Sequence, residues 1–599
     1  MTMSAFPSLR SCILALALIS PTIPAQNLAV VGQWGAPFAL PLIAIHQALL
    51  PTGQVLLFSA EHGVPGIHGW LLDPATLQLV NVPPPAGWNP DCAGHSFLGD
   101  GRLLVAGGTQ SFTPLLGTKR AYLFDPWSRQ WSRIADMRDG RWYPTNLTLG
   151  DGSVVTMAGL SGTPQVQNVD IERWTPGGTG WQLLGQRLLP DYPLLHLLPD
   201  GRILKAGPDA MAESYDATTG TWTPIAARNQ AARYEAPSIL LPGLDRVMIM
   251  GGNDDGNGQP TRSVEILDLA AASPSWVTVA HMNYLRYEHN AVLLPNGKVL
   301  VIGGRSSSNS SNPQPVLTPE LFDPSTGIWQ SMAPHQIPRR YHSTAMLLPD
   351  GRVVAAGGDN QASAEIYSPP YLFAGPRPTI TSAPQAISHG EQFGVAYSSA
   401  TATNSLVLIR VSSVTHSINM GQRLVSLGQF GPGGAAVAVL APPNGNVAPP
   451  GYYMLFAVDG NGVPSVARMV RVVSDYGAFV DLGNALAGTN GPPTLTGSGE
   501  QVGGGVVQMG LSNALSGSLA VLVLGFSRGD LPLLGGVLVP SPDLVSGTLA
   551  VNGSGQSLIS ITYPQGFPTG FDLYAQYWLL DAGAVQGLAA SNALRARAP

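Results

Sequence analysis

A short pattern that recurs seven times limits the fold of this chain more than any other feature of its sequence. Each copy has a turn, usually with Asp-Gly or Asn-Gly, and then an apolar run that often ends in Gly-Gly. The copies begin at Pro51-Thr52-Gly53, Asp100-Gly101, Asp151-Gly152, Asp200-Gly201, Gly243-Leu244-Asp245, Asn296-Gly297 and Asp350-Gly351, about fifty residues apart. A period near 50 residues is typical of propeller blades, so we expect seven of them.

A second hairpin lies between successive copies and ends in a tryptophan, as at Trp131, Trp222 and Trp329. Each repeat therefore offers about four short strands, and Gly-Gly with a downstream tryptophan is the kelch pattern. We predict an all-β fold whose main part, residues 26–372, is a seven-bladed kelch-type β-propeller. The outer strand of the first blade is expected to come from residues 28–45 or from the end of the seventh repeat.

The repeat stops after Tyr371, and the remaining sequence has two parts. Alternating strands from Pro376-Arg377-Pro378 to Val473 predict an immunoglobulin-like β-sandwich over residues 373–475. Residues 476–599 have Gly-, Leu- and Val-rich runs between turn residues and predict a further small β domain. This last part contains neither His nor Cys, so no chemistry is assigned to it.

The first 25 residues have the features of a secretory signal peptide. Arg10 precedes an apolar run over residues 12–19, and Ala25 is a small residue suited to a cleavage site. No later stretch reaches the roughly 18 apolar residues of a membrane helix. We therefore predict a signal peptide over residues 1–25 and a secreted monomer with no transmembrane segment.

The charge of the chain argues against nucleic acid as a partner. The formal net charge is −6, only 11% of residues are charged, and no basic run is present. Gly and Pro are abundant, but 44% of residues are hydrophobic, which favours a turn-rich ordered protein over a disordered one.

Cys92 is the only cysteine left once the signal peptide, with Cys12, is removed. A disulfide within the mature chain is therefore excluded. A single thiol in an oxidising compartment can form an intermolecular bridge, remain reactive, bind a metal or enter another covalent bond. It can also be an inert buried residue. The thiol alone does not decide among these.

Chemically active residues recur at one position of the repeat. Cys92, Tyr143 and His342 each lie nine residues before the glycine of the following turn, namely Gly101, Gly152 and Gly351. Equal offsets place the three side chains at equivalent blade positions, where they can converge on one axis. Glu288 has the same offset before Gly297 and is a candidate for substrate binding or for support of the site.

The motifs around these residues resemble those of the galactose oxidase and glyoxal oxidase family of copper radical oxidases. They are CAGHSFLGDGRLLVAGG at Cys92, RWYPTNLTLGDGSVV at Tyr143, RRYHSTAMLLPDGRVVAAGG at Tyr341 and His342, and LIRVSSVTHSINMGQR at His416. The resemblance spans roughly residues 28–474. The wording around Cys92 and Tyr143 is closer to glyoxal oxidases.

The resemblance implies a catalytic centre and its cofactors. One copper ion would be bound by Tyr143, Tyr341, His342 and His416, and Cys92 would be joined to the Tyr143 ring by a thioether. That Cys-Tyr pair is a protein-derived radical cofactor in the family, and Tyr341 would act as general base. The implied function is a two-electron oxidation of a small aldehyde, as its hydrate, or of a primary alcohol, with reduction of dioxygen to hydrogen peroxide.

Two observations keep alternatives open. Galactose-oxidising members place a tryptophan over the cross-linked tyrosine about eighteen residues after it, but residues 158–162 here read AGLSG. Trp142 and His68 are the candidates to replace it. A blue-copper site is disfavoured because no Met lies beside Cys92 and His95. The remaining alternatives are a non-catalytic secreted kelch propeller that binds glycans or proteins, and a surface protein with a stabilising metal.

Overall fold

The computed structural model describes residues 27–60, 66–230, 232–254, 258–309, 311–473, 479–499, 506–562 and 571–597. The predicted signal peptide lies outside these ranges. Within them strands dominate, and helix is confined to Leu28–Val31 and the short 3-10 segments Pro370–Phe373 and Val585–Gly587. No helix of the described ranges is long and apolar enough to cross a membrane. The prediction of an all-β fold is confirmed.

Seven antiparallel sheets follow one another along the first part of the chain. The first four consist of His46–Leu49, Val55–Ala60, Ile67–Leu72 and Leu79–Asn81; of Gly94–Phe97, Leu103–Ala106, Ala121–Asp125 and Gln130–Arg133; of Thr145–Thr148, Val154–Met157, Asp170–Trp174 and Trp181–Gln186; and of Leu194–Leu197, Ile203–Gly207, Met211–Asp216 and Thr221–Ala227.

The other three sheets have the same order from innermost to outermost strand. They consist of Ser238–Leu240, Arg246–Met250, Val264–Asp268 and Trp276–Thr278; of Tyr287–Leu293, Val299–Arg305, Glu320–Asp323 and Ile328–Ser331; and of Ser343–Leu347, Val353–Gly357 and Ser363–Ser368, with Gln33–Trp34 and Phe38–Ala39 outermost. Short hairpin strands at Thr109–Phe112 and Leu115–Gly117, and a pair at Arg233–Tyr234 and Asn253–Asp254, lie outside these sheets.

The seventh sheet lies beside the first. Strands near the start of the chain pair with its last strand, with Trp34 opposite Tyr367, and Ser343–Leu347 contacts His46–Leu49. Our expectation for the first sheet was wrong, because its outer strand is Leu79–Asn81. The Asp73 carboxylate accepts hydrogen bonds from two backbone N–H groups of the following turn, which returns the chain within the first repeat.

The repeated glycines and tryptophans connect neighbouring sheets. The second glycine of a Gly-Gly pair donates its N–H to the carbonyl of an arginine in the next repeat, a close approach that a side chain would obstruct. Three such bonds are Gly108 to Arg141 at 2.9 Å, Gly252 to Arg286 at 2.8 Å and Gly304 to Arg339 at 2.6 Å. The indole N–H of Trp131 donates to Val82 at 3.0 Å, and that of Trp329 donates to Ala280 at 2.8 Å.

Two facing sheets follow, and they share a core that includes Phe393, Val439, Leu408 and Leu455. Their strands are Thr379–Ser382, Gln392–Ser398 and Gly433–Leu440 in one sheet, and Ala386–Ser388, Asn404–Arg410, Leu424–Phe430, Gly451–Asp459 and Arg468–Val473 in the other.

A hairpin of Ser413–Thr415 and Ile418–Met420 leaves these two sheets and joins the first of the seven sheets. Val414 pairs with Gln47 of the innermost strand. This hairpin therefore carries the intervening loop, which contains His416, to the inner edge of the repeat region.

The last part of the chain forms three more sheets. They consist of Val480–Gly483, Leu519–Gly525, Leu544–Val545, Leu549–Ala550, Asp572–Leu580, Leu588–Ala590 and Ala593–Arg597; of Thr494–Gly499, Val506–Ser512 and Ser557–Thr562; and of Arg528–Leu533 and Gly536–Pro540. A buried ion pair fixes this part to the preceding sheets, because Arg528 contacts Glu391 at 2.8 Å.

Candidate metal centre

One backbone conformation recurs at the entrance of the innermost strands. Six non-glycine residues have left-handed backbone there. Each lies nine residues before the turn residue that is glycine in most repeats. They are Cys92, Tyr143, Tyr192, Glu235, Glu288 and His342, with φ of 57°, 71°, 47°, 54°, 58° and 65°. We call these the corner residues. Such a conformation costs roughly 1–3 kcal/mol for a residue with a side chain and is concentrated at functional sites.

Sequence reasoning missed two corner residues, Tyr192 and Glu235. Tyr192 lies nine residues before Gly201, so the equal spacing could have found it. Glu235 lies nine residues before Leu244, which takes the left-handed conformation, φ 63°, at a place where other repeats have glycine. The offset was hidden by this substitution in the fifth turn.

The structure brings the five predicted site residues together. The Tyr143 and Tyr341 hydroxyl oxygens are 3.0 Å apart. The Cys92 Sγ lies 3.4 Å from Nε2 of His416. The potential ligand atoms of Cys92, His342 and His416 all lie within 4.8 Å of one another. All three residues are buried.

The aromatic rings form one compact cluster around His416. Its ring centroid is 5.3 Å from that of Tyr143, 5.3 Å from that of Tyr341 and 4.8 Å from that of His342. Tyr192, the additional corner residue, also lies against both Tyr143 and His416, at 5.0 Å from each.

The tight loop around His416 explains how this ring reaches the others. His416 and Ser417 are the two loop residues of the hairpin described above, with φ of 45° and 68°. Two residues with positive φ are typical of a type I′ hairpin turn, although glycine or asparagine is usual there. His416 and Ser417 are therefore strained in this conformation, and the strained loop places the His416 imidazole at its tip.

Hydrogen bonds determine which nitrogen of His416 faces the cluster. The Thr415 hydroxyl donates to the carbonyl oxygen of Ile45 at 2.9 Å and lies 2.7 Å from Nδ1 of His416. Because that hydroxyl proton is already used, we assign the imidazole proton to Nδ1, which donates to Thr415. The lone pair on Nε2 then points toward Cys92, as a metal ligand requires.

A buried pair of histidines supports Cys92. Its backbone N–H donates to Nε2 of His46 at 3.1 Å, and Nδ1 of His46 lies 3.1 Å from Nε2 of His95. His46 thus carries its proton on Nδ1 and donates it to His95. Burial lowers the pKa of His95 to about 3, which keeps this ring neutral. The pair holds the backbone of Cys92 without adding charge beside its sulfur.

Trp142 covers the ring of Tyr143. The two rings are stacked, with centroids 4.9 Å apart and planes 18° apart. Residues 158–162, which lack an aromatic, contribute through their backbone: Leu160 exchanges two backbone hydrogen bonds with Trp142, at 2.9 Å and 2.7 Å. Of the two candidates from the sequence, Trp142 is therefore the stacking residue, whereas His68 pairs with Ser59 in the first sheet.

The cluster opens on a cavity of about 250 Å³. Tyr143, Tyr192, Tyr341, His342 and His416 form part of its wall. This is below the roughly 300–1,000 Å³ of sites for drug-sized ligands, so the cavity suits a small molecule.

Carboxyl groups form another part of the wall, from Asp191, Glu235 and Glu288. Burial raises the pKa of Glu235 to about 8 and that of Glu288 to about 7. Burial likewise raises the pKa of Asp191 to about 6.

Burial also controls the acidity of the thiol and the phenols. It raises the pKa of Cys92, Tyr143 and Tyr341 well above their ordinary values. Phenolates in this cluster would therefore need a cation beside them, and a metal ion is the usual means of stabilising such an anion.

Comparisons with known proteins agree with the site. A family model described as the glyoxal oxidase N-terminus matches residues 86–371, and one described as a galactose oxidase-like early set domain matches residues 377–472. The chain is 29% identical to galactose oxidase of Gibberella zeae over 492 residues, which covers 74% of this chain and 70% of that protein.

Two further proteins are similar to this chain over most of their own length. The chain is 32% identical to the aldehyde oxidase GLOX of Vitis pseudoreticulata over 440 residues, which covers 64% of this chain and 82% of that protein. A solved structure of a fungal alcohol oxidase of the AA5 family, in complex with copper, matches with a TM-score of 0.67 at 30% identity. That match covers 74% of this chain and 100% of the other.

Proposed function

Because this chain belongs to the galactose oxidase and glyoxal oxidase family of copper radical oxidases, we propose that it is a secreted oxidase of small hydrated aldehydes or primary alcohols. The observation that carries this proposal is the convergence of Cys92, Tyr143, Tyr341, His342 and His416 beside one small cavity. In each turnover, RCH(OH)₂ and O₂ give RCOOH and H₂O₂, or RCH₂OH and O₂ give RCHO and H₂O₂.

The donor set fits copper. Tyr143, Tyr341, His342 and His416 would hold the ion, and two imidazole nitrogens with two phenol oxygens suit Cu(II), which N/O sites bind more tightly than other divalent first-row metals. The inward lone pair on Nε2 of His416 supports this assignment. When bound, copper supplies one of the two oxidising equivalents that the reaction needs.

Tyr143 and Cys92 would supply the second equivalent. The two residues are adjacent corners, and the Tyr143 N–H donates to the Cys92 carbonyl at 3.0 Å. We propose a thioether in which the Cys92 sulfur replaces one ring hydrogen of Tyr143. Its formation removes the thiol hydrogen and that ring hydrogen, and dioxygen takes up both as hydrogen peroxide.

Tyr341 is the proposed general base. Its hydroxyl lies on the cavity wall, 3.0 Å from the hydroxyl of Tyr143. A substrate hydroxyl in the cavity would give its proton to the Tyr341 oxygen, while Trp142 covers the Tyr143 ring. The cavity volume of about 250 Å³ favours small substrates.

The same proposal includes the architecture and the location. The seven sheets would be blades of a kelch-type propeller over residues 26–372, followed by an immunoglobulin-like sandwich over 373–475 and a small β domain over 476–599. The contact of the seventh sheet with the first supports a closed ring. Secretion rests on the predicted signal peptide over residues 1–25, and we expect a monomer.

Mass spectrometry of copper-loaded protein matured in air tests the centre. We expect an intact mass lower by two hydrogens than that of the metal-free protein, and the tryptic peptides of Cys92 and Tyr143 joined in a form that resists reductant. The Cys92→Ala variant should lack the joined peptide. Tyr192→Phe, a change at the neighbouring corner ring, should retain it. A Cys92 thiol that is still alkylated after copper exposure would rule out the radical mechanism.

A further inference from the structure

Two of the corner residues, Glu235 and Glu288, have no role in the proposed centre, yet they line the same cavity as Tyr341 and His342. Their left-handed backbone, with φ of 54° and 58°, is the conformation that directs Tyr143 and His342 toward the site. The Glu288 N–H donates to the Glu235 carbonyl oxygen at 3.0 Å, so the two corners are fixed to each other.

Both carboxylate oxygens of Glu288 accept hydrogen bonds from other groups of the protein. One carboxylate oxygen accepts a hydrogen bond from Arg305 at 2.5 Å, and the other accepts from the backbone N–H of Tyr341 at 3.2 Å. Its carboxylate thus helps to hold Tyr341 in place, which identifies Glu288 as a positioning residue.

Glu235 differs from Glu288 in its contacts. Among the residues that the structure describes, no lysine, arginine or histidine makes an ion pair with Glu235. Its side-chain hydrogen-bond partner is the Glu288 carboxyl group, and the Arg305 charge that also acts on it is paired with Glu288. Glu235 is only partly buried and lines the cavity, so a carboxyl oxygen of Glu235 can accept a hydrogen bond from a bound molecule. A ligand with a hydroxyl group can supply that donor.

Part of the cavity wall is apolar. Leu194, Pro208, Ala236 and Ile418 line the cavity and present apolar side chains. A substrate whose reacting hydroxyl faces Tyr341 therefore meets Glu235 as an additional acceptor on a partly apolar wall. Only a substrate with a second hydroxyl can use both groups.

We infer that Glu235 accepts a hydrogen bond from the second hydroxyl of a hydrated aldehyde, so that the site selects geminal diols over primary alcohols. This inference rests on the proposed function, because it assigns one hydroxyl of the diol to Tyr341. A primary alcohol has a single hydroxyl and leaves Glu235 without a donor. Sites that hydrogen-bond a substrate hydroxyl discriminate strongly against analogues that lack it.

Steady-state kinetics of the copper-loaded enzyme test the selection. Acetaldehyde in its hydrated form and ethanol differ by one hydroxyl on the reacting carbon. For Glu235→Leu we expect kcat/KM for the hydrate to fall by about 5- to 10-fold, mainly through KM, because one hydrogen bond to the carboxyl group is lost. The value for ethanol should change by less than about twofold. Glu235→Gln keeps an acceptor oxygen and should recover most of the loss.

The matched control is Asp245→Asn, which removes a carboxylate from an exposed turn of the same sheet and should leave both values unchanged. Intact mass establishes that each variant carries the joined Cys92 and Tyr143 peptides. If Glu235→Leu lowers kcat/KM equally for the hydrate and for ethanol while its intact mass is unchanged, the inference is overturned.

A binding measurement separates this inference from the proposed function. Fluorine NMR of the full metal-free chain compares trifluoroacetaldehyde hydrate with trifluoroethanol, which again differ by one hydroxyl. We expect wild type to bind the diol about 5-fold more tightly or better, and Glu235→Leu to lose the preference. If the wild-type protein prefers the diol but oxidises neither hydrated aldehydes nor primary alcohols, the proposed function is refuted and the inference about Glu235 is not. If the wild-type protein binds the diol and the alcohol equally well, the inference is refuted, even if Glu235→Leu fails to fold.

Discussion

Left-handed backbone at six corner residues joins the repeat to the chemistry of the site. The side chains of Tyr143, Tyr192, Glu235, Glu288 and His342 all line the cavity. The corners are linked by backbone hydrogen bonds, such as the 2.8 Å bond from the Tyr192 N–H to the Tyr143 carbonyl. Strain of roughly 1–3 kcal/mol per corner is thus distributed over a bonded network that holds each side chain in a fixed direction.

Replacement of Trp142 should affect catalysis more than folding. We expect Trp142→Leu to retain the Cys92–Tyr143 thioether but to release peroxide at least about 10-fold more slowly, because the stacked ring no longer shields Tyr143 from water. The stacking itself contributes only about 0.5–1.5 kcal/mol. Intact mass and a peroxide assay give the two readouts, and the decay of the visible absorbance of the oxidised protein gives a third.

The control for this variant is Trp127→Leu, since Trp127 is 52% exposed and its ring lies against Tyr452, with centroids 5.8 Å apart. It should leave peroxide release and the lifetime of the oxidised form unchanged. Equal lifetimes in Trp142→Leu and wild type would show that the stacked ring has no protective role.

Buried Arg–Glu pairs stabilise the corners at the scale of the element. Each arginine precedes a corner residue by two or three positions and donates both to a carboxylate and to a backbone carbonyl. The pairs are Arg141–Glu172 at 2.7 Å, Arg233–Glu265 at 2.8 Å, Arg286–Glu320 at 2.8 Å and Arg339–Glu365 at 3.0 Å, all with side chains at most 1% exposed.

Removal of one partner of such a pair should be strongly destabilising. For Glu320→Leu we expect a loss of about 3–5 kcal/mol in the free energy of unfolding, because Arg286 is left charged and buried. The double variant Arg286→Met/Glu320→Leu should be less destabilised than the single one. Urea unfolding of all three proteins measures the effect, and a single variant as stable as wild type would contradict the assignment.

Much of this element-scale organisation could be predicted from the sequence. The turn and Gly-Gly patterns predicted seven repeated units, and the structure has seven sheets there. Equal offsets from the turns predicted Cys92, Tyr143 and His342 as site residues, because a repeat places equivalent residues in equivalent environments. Tyr341 and His416 came only from the resemblance. Tyr341 precedes the corner, and His416 arrives on a hairpin from outside the repeat, so neither follows the offset.

Long-range pairing explains what could not be predicted. The pairing of residues 33–39 with the last strand of the seventh sheet depends on contacts over more than 300 positions, as in the 2.6 Å bond from the Tyr367 hydroxyl to the Val31 carbonyl. No local signal specifies that partner. Glu235 was missed for a local reason, because Leu244 replaces the glycine that marks the other turns.

Buried neutral histidines should set the response of the whole molecule to acid. Burial lowers the pKa of His196 to about 3 and that of His335 to about 4. Both folded-state values lie below the unfolded value of about 6.5, so the unfolded chain binds more protons between these limits. Their contribution to stability is complete above about pH 6.5 and is lost as the pH falls toward about 4, by about 1.4 kcal/mol per pH unit for each histidine.

Thermal unfolding at several pH values between about 7 and 4.5 measures this loss. The His335→Asn variant should show a shallower decline of Tm with falling pH than wild type does. His281→Asn, at an exposed position, is the matched control. A decline in His335→Asn as steep as in wild type would contradict the assignment to His335.

The hairpin that carries His416 has a consequence for biosynthesis. His416 follows Cys92 by 324 positions. At a translation rate of about 5–20 residues per second, roughly 16–65 s separate the synthesis of the two residues. The nascent chain therefore presents an unprotected sulfhydryl long before the residue that packs against it exists. A host that produces this protein must keep that sulfhydryl reduced for a period set by chain length, and it can complete the centre only after most of the polypeptide has been made.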